Sequence, residues 1–581
     1  MDFKMSLLVV LLSVYYVCNT KFCGHDDIEH ESTYEGHVMP RMSNHYFGGL
    51  NEFETFAAQN PKPNSEFKNI RIHYTTNILY NDWHNKEFAQ KWIDDIIPAA
   101  INFLQEALQV RPVNGNLTFS TSCTDKTKCT VWQTKCQITH IQIPVDSFQG
   151  LGPGTPSDIN IYFSGMRGAS CMNVYGYSTF CKRNAFDRPI AGYVNLCERT
   201  LWDEGDYFTY EKGVTLVVHE IFHVLGFSSS GFRLFRKQSS VDPSRSKRNW
   251  HETVIQKNIR GKTATFLATE TVIEKAKEFY GCDRIIGIEL EDYGGADTAS
   301  SHWEQRILGM EVMIGYIASA APFSIFTFAV MQDSGWYNVN WEYASIPPYA
   351  KKLGCDWFEK PCVNDTHSLD DDLFCIETKQ YGCSVDYVGK SNCEISEWTN
   401  LATHFQYFDN KKLGGVLAYA DYCPMFYHYS NGDCRVKSAA NPVTSLSAQI
   451  RPDSKCNMVT DNNGKEFAVC WISKCLIDSH GNWSAVMTKI PNKKGTDATW
   501  VTCFGDTDDG KKKTLPYRHQ YGKLSIICPQ FFDMCYDGNP WMCNGHGMFV
   551  KETNTCFCNG GYIGCHCEYE DTKANRAIYP R

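Results

Sequence analysis

Past its first twenty residues the chain has no apolar run long enough to cross a membrane. Positive charge is not in excess. Against 65 Asp and Glu stand 56 Lys and Arg, a net charge of −9, which disfavours nucleic acid as a partner. Low-complexity tracts and long internal repeats are absent, so repeat architectures are set aside. The closing residues, Tyr569 to Arg581, are polar and charged, and no hydrophobic tail for a lipid anchor is visible. Cys556-Phe557-Cys558 and Cys565-His566-Cys567 lack the two-residue spacing of a redox pair, which disfavours disulfide-exchange chemistry.

What is present begins with length. A chain of 581 residues can hold several domains with sizeable cores, and 43% hydrophobic against 21% charged residues is ordinary for a globular protein. Lys4 followed by the apolar run Leu7 to Val17, with a cleavage edge at Thr20, reads as a secretory signal. Twenty-seven cysteines agree with an oxidising destination. Sequons at Asn116, Asn364 and Asn482 are glycosylation candidates on that route. The expected localisation is secreted or extracellular, or associated with a cell surface.

The densest signal is Val218-His219-Glu220-Ile221-Phe222-His223-Val224-Leu225-Gly226. Histidines four apart on a helix share one face, so both imidazoles can reach one metal ion. Zinc suits imidazole nitrogen and keeps a position open for water when the protein supplies three ligands. Glu220 is then placed as general base. Val214, Val217, Val218, Ile221, Phe222 and Leu225 recur at helical spacing, and Gly226 allows a sharp exit. Composition alone would produce such a pentad in roughly 0.03 chains of this make-up.

Along the chain, a first strand is expected at Ile70–Tyr74, a long helix at Lys91–Val110, and strands at Ile159–Phe163 and Ala191–Leu196. A helix is expected at Thr271–Tyr280, and the apolar run Pro322–Val330 reads as another, buried helix. Strand, helix, strands, helix is the pattern of an α+β domain. From Cys355 onward cysteines are dense and long periodic segments few, so disulfides should carry much of the stability.

Two histidines do not complete a catalytic zinc site. The compact metzincin arrangement puts a third histidine six residues after the second, where this chain has Ser229. A later segment must supply it, and Ser300-Ser301-His302-Trp303-Glu304, followed by Glu311-Val312-Met313, is the candidate.

Here the sequence resembles the leishmanolysin family of zinc endopeptidases. Arg188-Pro189-Ile190-Ala191-Gly192, Tyr280-Gly281-Cys282-Asp283, Gly294-Gly295-Ala296, Met331 to Tyr337 and Asp421-Tyr422-Cys423-Pro424 extend the resemblance over most of the chain. It implies a metzincin-like catalytic domain with a mixed twisted sheet, an active-site helix and a backing helix. A disulfide-rich, mostly irregular or β region would follow. The resemblance also implies one zinc held by His219, His223 and His302, Glu220 as the base, Met313 in the turn under the metal, and Cys23 in a cysteine switch. Ile314-Gly315 stand where the family often has Ala-Pro, so no side-chain preference transfers. The closing cysteines resemble an epidermal-growth-factor-like module, although Met548 or Phe549 stands where a cysteine often follows Gly-His-Gly.

The expected organisation is a signal peptide (1–20), a pro-segment with the cysteine switch (21–66) and an N-terminal catalytic domain with the zinc helix (67–228). A central domain with the third ligand and Met-turn (229–350), a cysteine-rich domain (351–535), the small module (536–570) and a polar tail (571–581) follow. The expected function is zinc-dependent hydrolysis of protein and peptide substrates. Surface or matrix partners would bind through the C-terminal modules. The competing class is a catalytically silent adhesion protein on a peptidase scaffold.

Overall fold

A computed structural model of the protein describes residues 66–529 apart from short stretches, among them 120–135, 204–209, 238–247, 293–299, 316–320, 436–447 and 492–497, with isolated pieces from 547 onward. It is a mixed α+β molecule with several sheets and a β-rich, disulfide-rich C-terminal region.

The front of the molecule is a four-stranded sheet. Its strands are β1 (Ile72–Thr75), β2 (Ile159–Ser164), β3 (Gly176–Arg183) and β4 (Pro189–Leu196). Their spatial order is β1-β2-β4-β3. The pairs β1–β2 and β2–β4 are parallel, whereas β3 runs antiparallel along one edge. All six residues of β2 and all eight of β4 are buried, because parallel strands here are covered on both faces.

Two helices pack behind the sheet. The first, α1 (Ile97–Ala107), continues from Lys86–Lys91 through a π-helical turn at Trp92–Ile96. Pro98 at its start has no N–H for the helical ladder, and a wider turn just before it accommodates that loss. Helix is expected as far as Val110, but it ends at Ala107. Leu108–Val110 pair instead as a strand between Lys68–Asn69 and Tyr337–Val339. Pairing with distant chain wins over local periodicity there. The second, α2 (Tyr210–Val224), carries the histidine pentad and is buried on all sides from Val214 onward. At Gly192 in β4 an added Cβ would lie 2.5 Å from Val224, so α2 and the sheet approach closely because that residue has no side chain.

Beyond α2 come a hairpin of β5 (Val254–Ile259) and β6 (Lys262–Leu267), helix α3 (Glu270–Tyr280) and a short third strand, β7 (Ile288–Leu290). Gly281, at φ +70, closes α3. Next is α4 (Ile325–Asp333), buried almost throughout and capped by Ser324, whose hydroxyl accepts from the amides of Phe326 and Thr327. Asp333 in turn caps α3, accepting from the Thr271 amide at 2.8 Å.

The rear region forms a six-stranded antiparallel sheet of β8 (Ser454–Thr460), β9 (Glu466–Ile477), β10 (Trp483–Pro491), β11 (Ala498–Phe504), β12 (Lys512–His519) and β13 (Gly522–Ile527). The order is β11-β10-β9-β8-β13-β12. Disulfides among the described residues join Cys136–Cys181, Cys171–Cys197 and Cys282–Cys355 in front. To the rear they join Cys362–Cys423, Cys375–Cys393, Cys383–Cys456, Cys434–Cys470 and Cys503–Cys528. No helix among the described residues is long and apolar enough to cross a membrane.

Candidate metal centre

Helical spacing brings His219 and His223 to one face of α2, and their ring centroids lie 4.7 Å apart. After Val224 the chain turns through Gly226, at φ +110. A Cβ there would lie 2.6 Å from the Trp336 ring, so the sharp exit depends on glycine. The turn returns the Phe227 carbonyl to His223 Nδ1 at 2.6 Å. His219 Nδ1 meets the Val312 carbonyl at 2.5 Å. A ring whose Nδ1 carries the proton towards a carbonyl keeps its Nε2 lone pair free to face a metal.

His302 arrives from far along the chain. Its carbonyl accepts from the Glu291 amide at 2.9 Å, and Trp303 bridges both Leu290 of β7 and Ile314. This short ladder brings His302 Nε2 to 3.2 Å from His223 Nε2, which is itself 3.1 Å from His219 Nε2. Two imidazoles on one tetrahedral zinc, at about 2.0–2.1 Å each, have nitrogens roughly 3.3 Å apart. The donor set therefore fits such an ion. Burial lowers the pKa of His302 to about 3, so its ring stays in the neutral, metal-binding form.

Glu220 lies in the same buried layer, with His219, Glu220 and His223 all 0% exposed and His302 1%. The edge strand β3 houses its carboxylate. Ser178 Oγ donates to Glu220 Oε2 at 2.8 Å and lies 2.7 Å from the Glu220 carbonyl. A Cβ on Gly176 would come within 3.0 Å of Oε1. Neither Ser178 nor Gly176 stands out in the sequence, because strand residues that line a site carry no spacing signature.

Met313 is fully buried, its carbonyl accepting from Trp303 N at 2.9 Å and its amide donating to Glu311 at 2.5 Å. Glu311 also accepts from Ser324 at 2.7 Å and Thr327 at 2.5 Å. Burial raises its pKa to about 7, against the pull of those hydrogen bonds. This residue, two before the methionine, belongs to the Glu311-Val312-Met313 segment marked in the sequence, but its role as the anchor of the turn has no spacing signature. At Gly315 a Cβ would lie 2.8 Å from the Tyr419 ring, so the residue pair after Met313 leaves room for a side chain from the rear region. Asn116 and Asn364 are exposed. Asn482 and Cys23 lie outside the described residues, as do the signal segment and most of 536–570.

The sequence model of the family described as leishmanolysin matches residues 81–542. A leishmanolysin-like peptidase of Drosophila melanogaster is 28% identical over 538 residues, covering 76% of this chain and 77% of that protein. The counterpart in Drosophila pseudoobscura pseudoobscura is 26% identical over the same length and coverage. Leishmanolysin of Leishmania major is 27% identical over 366 residues, 62% of this chain and 55% of its own.

Proposed function

Because this chain belongs to the leishmanolysin family of peptidases, we propose that it is a secreted zinc endopeptidase that cuts peptide bonds of proteins. The observation that carries this reading is the meeting of three imidazole Nε2 atoms, with that of His223 3.1 Å from His219 and 3.2 Å from His302, at the helix that also carries the buried Glu220. His219, His223 and His302 would hold the ion. When bound, zinc would supply a Lewis acid that acidifies water and polarises the scissile carbonyl.

The remaining work falls to the chain. Glu220 takes a proton from the attacking water as its oxygen bonds to the carbonyl carbon, then gives it to the amine that leaves as the C–N bond breaks. Ser178, donating to one carboxylate oxygen, holds that base in orientation. The Val312 and Phe227 carbonyls hold His219 and His223 in the tautomer that binds metal.

Secretion through the N-terminal signal, glycans at Asn116, Asn364 and Asn482, and latency through Cys23 belong to the same reading. So do surface partners of the C-terminal modules. A silent adhesion scaffold has weaker support, since it has no need of a carboxylate housed by Gly176 and Ser178. The mature chain should hold about one zinc and digest casein, with cutting lost to a chelator and restored by zinc. Folded, active protein without zinc would end this reading.

A further inference from the structure

Next to the His302 segment lies a buried cluster of charge that peptide hydrolysis does not use. Lys262 opens β6 with a side chain only 5% exposed. Its Nζ lies 2.6 Å from Asp421, 2.8 Å from Asp292, 3.1 Å from Glu289 and 3.9 Å from Glu304. Arg260 adds contacts to Glu289 at 2.6 and 2.7 Å and to Asp421 at 3.5 Å. Glu289 and Glu304 are 0% exposed and Asp421 2%.

These carboxylates come from separate parts of the chain. Glu289 is in β7 and Asp292 just after it, Glu304 is two residues past His302, and Asp421 comes from the cysteine-rich region. Glu289, Glu304 and Asp421 are spaced as metal ligands could be, yet the lysine ammonium lies among them as a built-in cation. Burial alone would lower the Lys262 pKa. Glu304, Glu289, Asp421 and Asp292 outweigh it and hold the amine charged above the ordinary lysine range.

The backbone around the cluster is equally committed. Arg260 has φ +48 and Gly261 φ +80, a two-residue hairpin turn in which a non-glycine residue takes the left-handed conformation. Asp421 is also left-handed, at φ +54, and lies two residues from the Cys362–Cys423 disulfide. Its carbonyl accepts from the Tyr407 hydroxyl at 2.7 Å. Main-chain bonds then connect the cluster to the metal face. The Glu304 amide donates to the Glu289 carbonyl at 3.0 Å, and the Glu291 amide to the His302 carbonyl at 2.9 Å. At one end of this ladder Lys262 holds Glu289 directly, at 3.1 Å, and faces Glu304 at 3.9 Å. His302 sits one step further along it.

We propose that Lys262 and Asp421 are positioning residues for the third metal ligand. The ammonium, tied to the cysteine-rich region through Asp421, holds the β7–His302 ladder where His302 Nε2 meets the nitrogens of α2. This assignment rests on the reading of His219, His223 and His302 as the zinc ligands. It also gives the Asp421-Tyr422-Cys423-Pro424 motif a task. Asp421 completes the cluster, and Cys423 fixes the segment that presents it.

The test uses the full mature chain as parent, Lys262→Met, Lys262→Arg and Asp421→Asn. Zinc affinity is measured by competition with a chromophoric chelator, the visible spectrum of the cobalt-substituted protein reports ligand geometry, and a thermal scan reports stability. Lys262→Met and Asp421→Asn should each bind zinc about 10–100-fold more weakly, the range for partners that orient metal ligands. Their cobalt spectra should change, and Lys262→Arg should recover part of the affinity. Should Lys262→Met not fold, Asp421→Asn decides, since it keeps the ammonium and the other carboxylates. Variants that melt earlier yet keep the parent's zinc affinity and cobalt spectrum would reduce the cluster to a structural role and overturn the proposal. That outcome would leave the three-histidine reading intact, whereas a parent without zinc would remove both.

Discussion

Every residue from Val214 to Val224 on α2 is buried, and most are apolar. In the rear region, five of the eight buried residues in the cluster around Cys383 are themselves cysteines: Cys383, Cys434, Cys456, Cys470 and Cys475. The front thus holds its shape by burying hydrocarbon in one large cluster, which residues of the cysteine-rich segment such as Phe374, Phe408 and Met425 join. The rear has small clusters under a six-stranded sheet and leans on covalent links. A metal site needs ligands fixed to fractions of an ångström, and close packing around a helix supplies that rigidity. The rear region enters the site's surroundings at a few points, Asp421 and Tyr419 among them.

The largest effect expected is chemical. Glu220→Gln should lower casein hydrolysis by a factor on the order of 10²–10⁴ while zinc content and melting temperature hold, because the base goes and the packing stays. Activity close to the parent's would remove Glu220 from the chemistry. Next is packing. Phe222→Ala, at a fully buried position between the two helix histidines, should cost about 3–5 kcal/mol in urea unfolding and weaken zinc binding with it. If stability falls but zinc affinity does not, the front core and the site are less coupled than described.

Replacing Cys383 and Cys456 by alanine should cost about 2–5 kcal/mol. The loss should be confined to the rear, so hydrogen exchange should quicken in β8 and β9 before α2. Equal loss of protection in both would erase the contrast between the regions. Gly192→Ala should cost about 1–3 kcal/mol, since its new methyl group meets Val224.

A further effect is a pH dependence. The folded Glu311 pKa, about 7, exceeds its ordinary 4.5, so between these values the folded protein holds a proton that the unfolded chain has lost. The stability this gives is full below about pH 4.5 and is lost as pH rises towards 7. Metal-free parent should therefore lose ground against metal-free Glu311→Gln over that range in urea midpoints. A constant difference between the two would contradict the assignment.

The front was the more legible half. The strands at Ile159–Ser164 and Pro189–Leu196, and the helices at Glu270–Tyr280 and Ile325–Asp333, lie within a few residues of their expected positions. Their apolar runs are continuous enough to declare themselves. His219, Glu220 and His223 were legible because one helix turn puts chemistry at fixed spacing. His302 was reached through the motif around it, not through any periodicity. What stayed hidden depends on contacts between distant segments. The Val312 and Phe227 carbonyls, Ser178, Gly176 and the anchoring role of Glu311 all act across the fold. The rear sheet stayed hidden too. In β9, Cys470 and Cys475 stand where apolar residues would otherwise mark buried positions, and sheet pairing leaves no local record of its partner.

X-ray absorption at the zinc edge of the mature, active chain tests the central claim most directly. The account predicts one zinc with three imidazole nitrogens at about 2.0–2.1 Å and an oxygen as the remaining neighbour. It also predicts that His302→Ala removes one of those imidazoles. Zinc absent, bound by fewer than three imidazoles, or left with the same imidazole shell in His302→Ala, would contradict it.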